Sequence, residues 1–150
     1  MEDRIKRIHD IAIENLKQDS YVAPVLIVEG KENAIVRIKG DKYEAMRQAG
    51  RKVAFLSPSV VIFISEAWMA RKIPPEGKAV HDMPDKQECI SIVAQKSNGE
   101  GYACFVPFSK VGKRILIGET EWLPEGGVVE ANILKLFWLG VQERGGESGR

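Results

Sequence analysis

The chain has 150 residues, 44% hydrophobic and 29% charged, with 22 Lys and Arg against 21 Asp and Glu and a formal net charge of +1. A chain this long buries a self-sufficient core without disulfide or metal staples, and so even a charge balance sets up no net field toward nucleic acid or acidic lipid. The longest apolar stretch, residues 131–141, is interrupted by Asn132 and Lys135 and falls far short of the roughly 20 residues of a membrane span, which excludes a transmembrane helix.

The N-terminus lacks the basic-then-apolar order of a secretory leader, so the expected location is cytoplasmic. Ile5, Ile8, Ala12 and Leu16 recur at helical spacing among charges and predict an amphipathic helix over residues 3–18, with Ile11 and Ile13 widening its buried face. Residues 22–29 form an apolar strand, a turn follows at Gly30 to Asn33, and the alternation of Ala34, Val36 and Ile38 predicts the second strand of an antiparallel hairpin. Pro24 marks an edge position or a strand opening, because proline donates nothing to a ladder. Asp41 and Glu44 have capping spacing before a helix whose apolar face is Tyr43, Met46, Ala49 and Val53; Gly50 is either near its C-terminal cap or a weak point within it.

Val60 to Ile64 is continuously apolar, as a strand buried on both faces is, and belongs at the centre of the sheet. Residues 71–87, with Pro74, Pro75, Gly77 and Pro84 among charges, read as a long exposed loop. Strands over 88–95, 102–108 and 114–119 then make an antiparallel meander, with turns at 97–100 and around Gly112. Cys89 and Cys104 are too few for a disulfide framework and about four residues out of register across the first of these turns, so both are expected as free buried thiols. A final helix over about 128–144 is apolar on most of its circumference, either wrapped in the core or shared with a partner chain. Residues 145–150 read as a disordered tail. The expected architecture is one α+β domain over residues 1–144, a mainly antiparallel sheet of about six strands with three helices mostly on one face.

No phosphate loop, dinucleotide fingerprint, metal-binding His-Glu-x-x-His helix or nucleophile elbow is present. The candidate site is where the buried strand ends in Ser65, Glu66, Ala67 and Trp68 and the next begins after His81, Asp82, Met83, Pro84, Asp85, Lys86, Gln87 and Glu88. Glu66, Asp85 and Glu88 are the weak catalytic candidates: a desolvated carboxylate as general base, its charge partners, or three oxygen ligands for Mg²⁺ or Ca²⁺. The competing structural reading makes Glu66 an anchor that accepts backbone amides or pairs with Lys86 or Arg71, and it is the stronger of the two. Trp68, His81 and Lys86 are the candidate binding residues, although Trp68 reads more readily as a packing lid. His9 is a surface or boundary residue, and no cofactor is expected.

The order Glu66, Ala67, Trp68 at a strand end, followed after a proline-containing loop by Pro84, Asp85, Lys86, Gln87 and Glu88, resembles a pattern in a family of uncharacterised conserved microbial proteins. The resemblance covers about residues 55–110, with Lys86 where arginine is expected, and implies a shared fold without an activity. The leading functional reading is a non-enzymatic protein-association module, a homodimer through the C-terminal helix being its simplest form. The alternative is an enzyme or metal-binding protein using Glu66, Asp85 and Glu88. Nucleic-acid binding through Lys110, Lys113 and Arg114 at one turn, Arg47, Arg51 and Lys52 near a helix end, and the aromatics Tyr102 and Phe105 ranks last, because Tyr102 and Phe105 have opposite strand parity.

Overall fold

The computed structural model describes residues 2–69, 76, 77, 84, 86–123 and 132–148. In chain order these form α1 (Glu2–Asp19), β1 (Val25–Glu29), β2 (Ala34–Arg37), α2 (Lys42–Val53), a 3₁₀ turn (Ala54–Leu56), β3 (Val60–Met69), β4 (Gln87–Lys96), β5 (Gly101–Val111), β6 (Arg114–Ile117), β7 (Glu121–Trp122) and α3 (Asn132–Ser148). The seven strands make an antiparallel sheet in the order β2-β1-β3-β4-β5-β6, with β7 also pairing with β5, and the helices pack against it in an α+β fold. β3 is an interior strand, as its apolar run requires. Most of the proline-containing loop lies outside the described residues. Among the described residues no helix is long and apolar enough to cross a membrane.

The polypeptide divides into two compact units, whose boundaries fall inside β3, β4 and β5. Unit 1 comprises residues 1–23, 64–92 and 104–122. In α1 the stripe Ile5, Ala12 and Leu16 is buried, but Ile11 is 54% exposed and does not widen the buried face. At about 100° per residue Ile11 sits roughly 120° round the helix from that stripe, where no layer covers it. The helix stops at Ser20, whose φ of 59° is left-handed and whose N–H donates to the Leu16 carbonyl at 2.9 Å.

The β5–β6 ladder matches Phe108 with Ile117, while the β5–β7 ladder matches Phe105 with Glu121. Three steps along β5 therefore oppose four along the other strand, and the extra residue is a β-bulge between Ile117 and Glu121. Its entry is fixed by the Gly118 N–H, which donates to the Pro107 carbonyl at 2.8 Å; a Cβ on Gly118 would come 3.0 Å from the Pro107 ring. β7 was not legible in the sequence because two residues carry no periodicity. Cys89 and Cys104 are buried free thiols. Burial pushes the Cys104 thiol up to about 12, and burial with the nearby Glu121 charge pushes Cys89 up to about 11.

Unit 2 comprises residues 24–63, 93–103 and 123–150. β1 and β2 pair antiparallel, Val25 with Arg37 through Val28 with Ala34. Pro24 precedes this ladder, so its missing N–H costs nothing, and its carbonyl accepts the Ile38 N–H at 3.1 Å. The Ser59 N–H donates to the Glu29 carbonyl at 2.8 Å, joining the start of β3 to the end of β1. Asp41 caps α2, its carboxylate accepting the Tyr43 N–H at 2.9 Å and the Glu44 N–H at 3.4 Å. Met46, Ala49 and Val53 are buried below the cap, whereas Tyr43 is exposed: the first turn of α2 reaches past the core.

The core of unit 2 joins Leu26, Val28, Val61 and Phe63 of the sheet to Met46 and Val53 of α2 and to Leu134 and Phe137 of α3. Gly50 is neither cap nor weak point. A Cβ there would sit 2.1 Å from the Phe137 carbonyl oxygen, and one on Gly140 would sit 2.1 Å from the Arg47 carbonyl oxygen, so α2 and α3 touch backbone to backbone. α3 is assigned through Ser148, into the stretch from Gly145 that reads as a tail in the sequence.

Candidate functional site

Glu66 and Trp68 stand two residues apart on β3, which puts them on one face of the strand. The Glu66 carboxylate is half-buried and accepts the Val22 N–H at 3.0 Å. Val22 is a buried residue of the segment between α1 and β1, so the carboxylate ties down that connection, using an N–H that no ladder satisfies. Trp68 is 44% exposed, with the Lys86 ammonium 5.1 Å from its ring centre in cation–π geometry. Glu88 is half-buried at the start of β4, beside Gln87, whose amide donates to the Phe108 carbonyl. The structure thus brings Lys86 to Trp68 and gives Glu66 a backbone partner. Asp85 and His81 lie outside the described residues. Among the described residues no three His, Cys, Asp or Glu side chains gather as metal ligands.

A second cluster in unit 1 is one that sequence reasoning missed. His9 is largely enclosed; its Nδ1 is 2.9 Å from Asp10 Oδ1 and its Nε2 is 2.7 Å from Thr120 Oγ1. A carboxylate accepts only, so Nδ1 carries a proton, and in the neutral ring Nε2 accepts the Thr120 hydroxyl proton. The ring also lies 5.0 Å from that of Trp122. The β-bulge offers Thr120 and Trp122 to α1, and the imidazole closes the contact. Carboxylate, imidazole and hydroxyl occur here in the order of a nucleophile relay. With both ring nitrogens and one ring face engaged, the geometry is that of a clamp between α1 and the β6–β7 connection. Nothing local in the sequence marks it, since His9 and Thr120 are 111 residues apart.

In unit 2, α3 has an apolar inner stripe and a mixed outer one, with different fates. Leu134 and Phe137 are fully buried against its own unit, so the helix is not a free apolar rod awaiting a partner. Lys135, Trp138, Leu139 and Gln142 follow at i, i+3, i+4 and i+7 on the outer stripe and face the β4–β5 turn at Gln95, Lys96, Ser97 and Gly99 across a groove of about 330 Å³. The turn is rigidly built: Gly99 has φ 97°, Asn98 accepts the Glu100 N–H at 3.0 Å, and the Lys96 N–H donates to the Glu100 carbonyl at 2.8 Å. Trp138 Nε1 donates to Gln95 Oε1 at 3.0 Å, fixing the indole as one wall. Leu139 is 43% exposed beside it. Lys96 pairs with Glu100 at 3.1 Å and lies over the Tyr102 ring; the Glu100 carboxylate holds its ammonium above the usual lysine range. Tyr102 is buried beneath that ammonium and offers no face for a nucleic-acid base.

The family model described as bacteriophage lambda protein ea47 matches residues 1–140, and the chain belongs to that family. The match spans the whole stretch 55–110 on which the resemblance to a conserved family rests. No curated protein and no solved structure gives a significant match to the chain.

Proposed function

We propose that this member of the ea47 family acts through protein association, and that it associates with itself at the face of unit 2 formed by the outer stripe of α3 and the β4–β5 turn. The observation that carries the reading is the division of α3. Its inner stripe is spent on the core, and its outer stripe lines an open groove with a fixed indole wall and an exposed leucine. A rigid aromatic anchor beside an aliphatic side chain with polar surroundings is the anatomy of an interface centre and its rim. The expected homodimer through the C-terminal helix is thereby narrowed to the outer stripe of that helix.

The carboxylate-site alternative draws less support. One oxygen of Glu66 is engaged by the Val22 N–H, and that bond suits an anchor better than a base awaiting a substrate proton. The experiment is to compare the oligomeric state of the wild type with that of Leu139→Glu, which puts a charge at the centre of the proposed face without touching the core. Loss of association in the variant, with an unchanged melting temperature, is the expected result.

A further inference from the structure

We infer that the groove receives the acidic and aromatic stretch at residues 119–122 of a second copy of this chain; the inference rests on the self-association reading and names the partner's segment. The lining holds two ammonium groups, Lys96 and Lys135, and no carboxylate. Lys96 is offset by Glu100, whereas Lys135 is exposed and forms no ion pair among the described residues. Beside Lys135 stand Trp138 and Leu139, so the groove suits a carboxylate followed closely by a large apolar side chain.

Among the described residues several exposed stretches set a carboxylate close to a large apolar side chain, among them 10–11, 19–21, 32–35, 41–44 and 119–122. In residues 41–44 the Asp41 carboxylate is spent on capping α2 and Glu44 accepts the Gln48 amide at 2.9 Å. Asp10 is engaged by His9 at 2.9 Å, and stretches 19–21 and 32–35 each bring one carboxylate, whereas residues 119–122 bring two beside an indole and are the best match. Glu119 and Glu121 are exposed, and Trp122 is 50% exposed while its ring rests on His9. The bulge leaves Glu119 unmatched by the β5 ladders, so its side chain is offered outward by a backbone already fixed at Gly118 and Glu121. Little ordering entropy is then lost when the stretch docks, which favours a preformed segment over a flexible one. Glu119 of one copy meets Lys135 of the other, and Trp122 lies against Leu139.

The test is a charge swap read by sedimentation velocity at a concentration where the wild type is about half associated. Lys135→Glu and Glu119→Lys should each weaken association by roughly three- to tenfold, and the double variant should recover most of the loss, since the swap restores an opposite-charge pair. Raising the salt from about 0.05 to 0.5 M should weaken the wild type in the same direction. Association unchanged in Glu119→Lys, or a double variant no better than its singles, would overturn the inference. If Leu139→Glu dissociates the protein while the charge variants do not, self-association at this face stands and the assignment of residues 119–122 falls. A wild type monomeric throughout removes both. Both charged positions are exposed, and melting temperatures confirm that the variants are folded.

Discussion

The Glu66 carboxylate accepts the Val22 N–H at 3.0 Å, so Glu66→Gln keeps the shape of the contact and removes only its charge assistance. The expected loss is on the order of 1 kcal/mol, a fall in melting temperature of roughly 2–4 °C for a chain of this size. An unchanged or raised midpoint would contradict the anchoring role and favour a ligand site. The thiols make a prediction of opposite pH sense to that of a paired carboxylate. Unfolded, both lose their protons near 9, whereas the folded chain holds that of Cys89 to about 11 and that of Cys104 to about 12. Between these limits the native state binds more protons than the unfolded state, so their contribution is complete below pH 9 and is lost as the pH rises. Denaturant midpoints should therefore fall from pH 9 toward 11, less steeply in a Cys104→Ala variant. Equal slopes in the two proteins would contradict the burial of Cys104.

The contact between α2 and α3 is decided by two glycines that local sequence rules misplace. By helix propensity, Gly50→Ala or Gly140→Ala should stabilise by about 1 kcal/mol. A Cβ at either position would overlap a backbone oxygen of the facing helix at 2.1 Å, and backbone cannot swing aside as a flexible side chain can. Overpacking of this kind costs about 1–3 kcal/mol and outweighs the propensity term, so both variants should melt below the wild type. A raised midpoint in either would mean that the helices do not approach so closely. The same pair is clipped at its rim by Glu143, which accepts from Arg47 Nε at 2.8 Å and from Arg51 at 3.0 Å. The hydrogen bond from Arg47 holds its carboxyl below the usual range. This clip is present at neutral pH and is lost as the pH falls through that lowered range.

The helices and six of the strands were legible in the sequence because each carries its own period, and β3 was legible as central because an unbroken apolar run fits only an interior position. What could not be read were matches between distant segments: Gly50 against α3, His9 against Thr120, and the bulge that sets Glu119 apart. Each depends on which elements become neighbours, and no local pattern encodes that. The candidate site was legible only in part. Glu66 and Trp68 are recognisable from the strand end, but the amide that occupies Glu66 comes from a residue 44 positions away.

For the molecule as a whole, an even charge balance and a C-terminal helix whose outer stripe sets Trp138 and Leu139 beside Lys135 and Gln142 favour contacts made in patches over a general field. Sedimentation velocity of the wild type from roughly 5 to 500 μM, run beside Leu139→Glu, decides whether the chain associates through the outer stripe of α3. Association at that stripe gives a sedimentation coefficient that rises with concentration in the wild type, and a dissociation constant at least about tenfold weaker in the variant, a change of about 1.4 kcal/mol. A wild type that stays monomeric over that range, or a variant that associates as well as the wild type, would contradict it.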